Sequence, residues 1–130
     1  MNQFNSEWWS VQLPDDWGVE QDDTCTSMFS ESGVGALQVS AARNSNGPAT
    51  DDDLRDFAKV HLDAGAPIKP ILCGAFTGFY FHYSIDNSYQ RQWWLRCDDT
   101  VVLATYTSNL EDKGKEDAVV DGIISTLQKK

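Results

Sequence analysis

Two histidines, three cysteines and four runs of consecutive aspartates carry most of the side-chain chemistry that this chain could put to catalysis or metal binding. Neither His61 nor His82 has a second histidine or a cysteine at ligand spacing, so a zinc site or a triad would have to assemble from distant elements. His61 follows Phe57 by four residues and precedes Leu62, which places its imidazole at the edge of a buried helical stripe as a hydrogen-bonded boundary residue. His82 alternates with Tyr80 and Ser84 on the less apolar face of a strand, where a packed or bridging role is expected. Cys25, Cys73 and Cys97 are odd in number, widely spaced and without a Cys-x-x-Cys, which excludes a disulfide framework and a zinc cluster. Cys97 precedes Asp98-Asp99 and Cys25 follows Asp22-Asp23; neighbouring carboxylates disfavour a thiolate, so these are expected to be reduced, mostly buried thiols.

The aspartate runs Asp15-Asp16, Asp22-Asp23, Asp51-Asp52-Asp53 and Asp98-Asp99 lack the alternate spacing, central glycine and terminal glutamate of a calcium loop. Turn chemistry and charge at a helix start account for them. The glycines make no phosphate-binding loop and no Gly-Lys-Ser or Gly-Lys-Thr occurs, which removes nucleotide hydrolysis. No cofactor, no metal and no enzymatic role are therefore expected. In the tryptophan pairs Trp8-Trp9 and Trp93-Trp94, strand alternation sends one member to each side, and an exposed member would serve as an interface anchor.

The elements that hold these residues follow from periodicity. Trp8 to Val11 reads as a first strand, Leu13 to Trp17 as a turn, and Trp17 to Val19 as a short extended piece. Cys25 to Phe29 and Val34 to Ala42 form a hairpin across Ser32-Gly33. Thr50 caps an amphipathic helix over residues 51 to 63, with Leu54, Phe57, Ala58 and Leu62 on its apolar side and Gly65 and Pro67 closing it. Ile71 to Cys73, Phe76 to Ile85, Gln90 to Cys97 and Val101 to Thr107 are strands, the last three a meander in which Phe79, Phe81, Tyr83 and Ile85 share one face. Val119, Val120, Ile123, Ile124 and Leu127 make the stripe of a C-terminal helix. The sum is a single α+β domain over residues 1–130, a twisted antiparallel sheet of about six strands sandwiched between two main helices.

Twenty acids against ten bases give a net charge of −10, and residues 1–65 hold twelve acids to three bases while residues 66–130 hold eight to seven. Such a surface repels phosphate backbones and anionic headgroups, so nucleic acid and membrane are poor partners and a basic protein is the favoured one. The acidic turns offer the docking residues Asp15, Asp16, Asp22 and Asp23, with Trp17 as an apolar anchor between them. An opposing reading is a small-molecule binder or enzyme with an aromatic pocket around His82, lined by Tyr80, Trp94 and Arg96. The N-terminal residues show no basic stretch followed by an apolar one, and no run approaches a membrane span, so the cytoplasm is the expected compartment.

Leu13-Pro14-Asp15-Asp16-Trp17, the helix from Leu54 to Leu62, Gly74-Ala75-Phe76-Thr77-Gly78, Arg91-Gln92-Trp93-Trp94-Leu95, and Tyr106 leading to Ile123-Ile124-Ser125-Thr126-Leu127 together resemble the PsbP-like fold group. The resemblance implies a fold largely without catalysis that acts through its surfaces, and it looks most like a branch of small bacterial proteins. By analogy, small acidic proteins of this shape can act as immunity factors that cap a basic toxin. No family residue transfers to a numbered position here.

Overall fold

Apolar and polar residues alternate through most of this chain, and in the structure, a computed structural model describing residues 2–130, half of the residues lie in strands. In chain order the strands and helices are β1 (Asn2–Asn5), β2 (Trp9–Leu13), β3 (Trp17–Gln21), β4 (Thr26–Ser30), β5 (Gly35–Arg43), α1 (Asp51–Phe57), α2 (Lys59–Asp63), β6 (Lys69–Cys73), β7 (Phe76–Ile85), β8 (Ser88–Cys97), β9 (Thr100–Asn109), α3 (Asp117–Ile124) and β10 (Gln128–Lys129). Seven strands make one antiparallel sheet in the order β3-β4-β5-β9-β8-β7-β6, and β1-β2-β10 make a second, small one. The expected meander is present as β7, β8 and β9. Its tight turns are set by residues in the left-handed region, Asp86 and Asn87 between β7 and β8 and Asp98 between β8 and β9, where short polar side chains tolerate positive φ.

Each face of the large sheet has its own core. On one face Trp17, Met28, Leu37, Val39, Tyr106, Ala104, Trp93, Leu95 and Phe76 meet Trp9, Val11 and Leu13 of β2 and Val120, Ile123, Ile124 and Leu127 of the C-terminal segment. On the other, Phe79, Phe81, Trp94 and Val101 meet Leu54 and Ala58 of the α1–α2 segment. Phe79, Phe81 and Tyr83 do share a face, and Trp93 and Trp94 point to opposite ones, as their alternation requires.

The two-helix sandwich is not what this sequence builds. The molecule is strand-dominated, its helices are short, and a three-stranded sheet shares with α3 the cover of the first face. The physical reason lies at the chain ends: β1 runs antiparallel to β2 from Asn2↔Leu13 to Asn5↔Ser10, and β10 pairs its other edge at Gln128↔Ser10 and Lys129↔Trp9. Both are polar, short strands with almost no apolar alternation to announce them. The expected helix over 51–63 is split at Ala58. Its Thr50 capping box forms, with Asp53 returning the bond, and Leu54 and Ala58 are buried, but Phe57 stands exposed because the inward row runs through Leu54 and Ala58 to the half-buried Leu62 at four-residue spacing. The α1–α2 cover lies over the β7–β9 half of its face and leaves the β3–β4–β5 half, with Gly18, Glu20, Ser27, Phe29, Gln38 and Ser40, uncovered by a helix.

Candidate functional site

The strand β3 is one free edge of the large sheet. The turn leading into it is closed by the Trp17 amide donating to the Pro14 carbonyl at 3.1 Å, which leaves Asp15 and Asp16 at its exposed corner. The Ser30 hydroxyl donates to Asp16 at 3.3 Å and ties that corner to β4. The turn leaving β3 is built by Asp22, whose Oδ1 accepts from the amides of Thr24 at 2.8 Å and Cys25 at 2.9 Å and from the Thr24 hydroxyl at 3.0 Å. Those backbone donors, first Thr24 and then Cys25, lower the Asp22 pKa and keep its charge in place. Asp23 beside it is exposed.

Two hollows flank this strand. One, of about 650 Å³, is lined by Asp15, Asp16, Gly18, Glu20, Phe29 and Glu31 among others. The second, of about 300 Å³, takes in Glu7, Trp8, Asp22, Asp23 and Cys25. Among the described residues no lysine or arginine lines either. The two predicted acid pairs therefore sit at opposite ends of one edge, separated by the length of β3.

Trp17 borders the larger hollow but is almost wholly buried. It is 8% exposed and belongs to the core under the large sheet, on the same side of β3 as Val19. Its loss would act on stability, and the apolar surface at this edge comes instead from Phe29, half-buried opposite Gly18 in the register Gly18↔Phe29. Glu20, Glu31, Phe29 and Gly18 are the groove residues that sequence reasoning missed. The alternation of Gly18 and Glu20 against Trp17 and Val19 was the signal available for two of them.

The four residues proposed for an aromatic pocket do not converge. Tyr80 pairs with Trp93 and His82 with Arg91 on the first face, whereas Trp94 and Arg96 lie on the second with Phe79 and Thr77. His82 is exposed, with Tyr80 and Tyr89 as ring neighbours. What gathers on the first face is a clamp centred on Arg91, 4% exposed and stacked over Trp93 and Tyr80. Its Nε donates to the Tyr80 hydroxyl at 3.0 Å, Nη2 donates to Asp121, and Nη1 lies 3.5 Å from Asp117. Burial alone would weaken the guanidinium's hold on its proton, but the Tyr80 and Asp121 bonds outweigh it and the pKa rises. Tyr89 is pushed up to about 12 by burial and then by Asp117. This cluster is a charge lock between the sheet and α3.

His61 sits half-buried in ring contact, its centroid 5.4 Å from Phe81 and 6.1 Å from Trp94. An apolar hollow of about 420 Å³ opens beside it, lined by Ala66, Pro67, Phe81, Tyr83 and Ile85. All three cysteines are free thiols; Cys73 is buried, Cys25 and Cys97 half-buried. Burial first, and Asp121 second, pushes Cys73 up to about 11, and burial followed by Asp98 raises Cys97. Among the described residues no three His, Cys, Asp or Glu side chains converge to hold a metal ion. No helix among them is long and apolar enough to cross a membrane.

Fold and site together define a strand-dominated α+β domain with an acidic surface along a free sheet edge. No family model and no curated protein matches the chain. Solved structures do match its fold. A protein from Bacteroides thetaiotaomicron superposes with a TM-score of 0.73 at 15% identity over 98% of this chain and 48% of its own, so the chain spans about half the length of that structure. LpqN of Mycobacterium tuberculosis, described as involved in cell envelope biogenesis, superposes with a TM-score of 0.57 at 11% identity, covering 94% of this chain and 83% of its own. At these identities the likeness is one of fold alone. It does not bear out the PsbP-like grouping read from the motifs.

Proposed function

We propose that this chain is a non-catalytic binding module that docks a basic protein on the acidic edge around β3, as an immunity factor caps a basic partner. The observation that carries the proposal is that, among the described residues, every charged side chain lining the two hollows that flank that strand is acidic, Asp15, Asp16, Glu20 and Glu31 in one and Glu7, Asp22 and Asp23 in the other. Like charges gathered on one edge cost stability through self-repulsion, and a cationic partner relieves that cost. Free thiols at all three cysteines suit a cytoplasmic setting. Affinity capture from cell extract at low salt tests it: the wild-type protein should retain strongly basic proteins that salt elutes, and a variant with Asp16, Asp23 and Glu20 replaced by Asn or Gln should not. Retention of acidic proteins, or retention indifferent to salt and to the substitutions, would contradict it.

A second reading rests on the hollow beside His61, whose apolar lining and volume suit a small apolar ligand. Displacement of a hydrophobic dye that Phe81→Ala abolishes would favour it.

A further inference from the structure

The large sheet ends in two edges that are finished differently. At β6 the edge strand carries Pro70, which has no amide to donate, and Lys69 beside it. At β3 the register runs unbroken from Trp17↔Ser30 to Gln21↔Thr26, with neither proline nor bulge. The hydrogen-bonded pairs of that ladder follow from its turn: the Asp22 amide donates to the Cys25 carbonyl at 3.0 Å, so Glu20 and Gly18, two and four residues back, also face β4 with their amides. Val19 and Gln21 then direct N–H and C=O outward, as Trp17 does when its amide reaches out to Pro14. An outward row of donors and acceptors is a template for another strand.

We infer that β3 accepts an extended segment of the basic partner as an eighth strand of the sheet, hydrogen-bonded to the backbone of Val19 and Gln21. This deepens the reading of the acidic edge as a docking surface and rests on it. Charge selects the occupant. A second copy of this chain would set Asp15, Asp16, Glu20, Asp22 and Asp23 against their like, whereas a lysine- or arginine-rich strand is complementary to all of them. The face above the edge fits the same side chains. Gly18 leaves open space, since a Cβ there would have no atom nearer than the Phe29 carbonyl oxygen at 4.0 Å. The aliphatic stem of a lysine or arginine opposite Gly18 can lie over the half-buried Phe29 ring, with its charged head towards Glu20 and Glu31 in the same hollow.

The test uses the intact protein and a synthetic peptide alternating lysine and threonine, with two controls: the same peptide N-methylated along its central backbone, and its glutamate counterpart. The unmodified lysine peptide should bind at low salt and slow amide hydrogen exchange at Val19 and Gln21 by at least tenfold. N-methylation should weaken binding by at least tenfold, and the glutamate peptide should not bind. Gly18→Val, whose Cβ the open space admits on the exposed face of β3, should keep the melting temperature and weaken the lysine peptide several-fold by covering Phe29. Equal binding of the methylated peptide, or exchange protection elsewhere, would overturn strand addition while leaving the acidic surface as a docking site. Failure of the lysine peptide to bind at all would overturn both.

Discussion

Arg91 is the residue on which most polar geometry converges, and its environment fixes what its loss should do. Its guanidinium is buried over Trp93 and Tyr80, but its partners Asp117 and Asp121 keep 37% and 57% side-chain exposure. Removing it strands two carboxylates that can rehydrate, so the cost should fall below the roughly 3–5 kcal/mol typical of breaking a fully buried pair. Arg91→Met, which retains some packing, should destabilise by about 2 kcal/mol in denaturant unfolding, and Arg91→Lys should recover little, because an ammonium cannot stack and bridge like the planar fork. A Met variant as stable as the wild type would show that the clamp is incidental. The cysteines make a second prediction at this scale. A thiol held near 11 by burial is almost wholly protonated at pH 7, so Cys73 should resist alkylation in the native protein until the chain unfolds. Rapid labelling of Cys73 at pH 7 would contradict the burial assigned to it.

The C-terminal segment closes one side of the sheet. Val120, Ile123, Ile124 and Leu127 are buried, Ala75 donates its amide to the Leu127 carbonyl at 2.9 Å, and β10 completes the small sheet on β2. Each of those aliphatic side chains contributes ~1.5–3 kcal/mol by leaving water, against a net stability of roughly 5–15 kcal/mol. A chain ending at Gly114 should therefore lose its cooperative thermal transition, and a truncated protein melting as before would show that the segment is dispensable. The elements themselves were legible in unequal measure. The strands from β4 to β9 could be read because alternation runs through them in long stretches, and Thr50 with Asp53 announced the helix start through a local bond. β1 and β10 could not, because Asn2–Asn5 and Gln128–Lys129 acquire a strand's geometry only from the edges of β2 that they pair with. Phe57 looked apolar enough to be buried, yet the break at Ala58 and the row Leu54, Ala58, Leu62 left it outside.

At the scale of the whole molecule, the uneven charge is a matter of sequence, but its placement on an open edge is a matter of topology. The long pairing of β5 with β9, from Gly35↔Ser108 to Arg43↔Thr100, joins the N-terminal hairpins to the meander and so leaves β3 outermost. Counting charges found Asp15, Asp16, Asp22 and Asp23; only the fold shows that they bracket one strand, that Trp17 turns inward, and that Phe29 beside Gly18 supplies the apolar ground. The charge-to-edge arrangement is the centre of this account, and a titration of isotopically labelled protein with a lysine-rich peptide addresses it residue by residue. Amide chemical shifts should move at residues 7–8 and 15–32, little elsewhere, and the effect should collapse as ionic strength rises tenfold, because the Debye length falls from about 10 Å to about 3 Å between 0.1 and 1 M salt. Shifts centred instead on the hollow beside His61 or on β6, or shifts at residues 15–32 that persist unchanged in high salt, would contradict it.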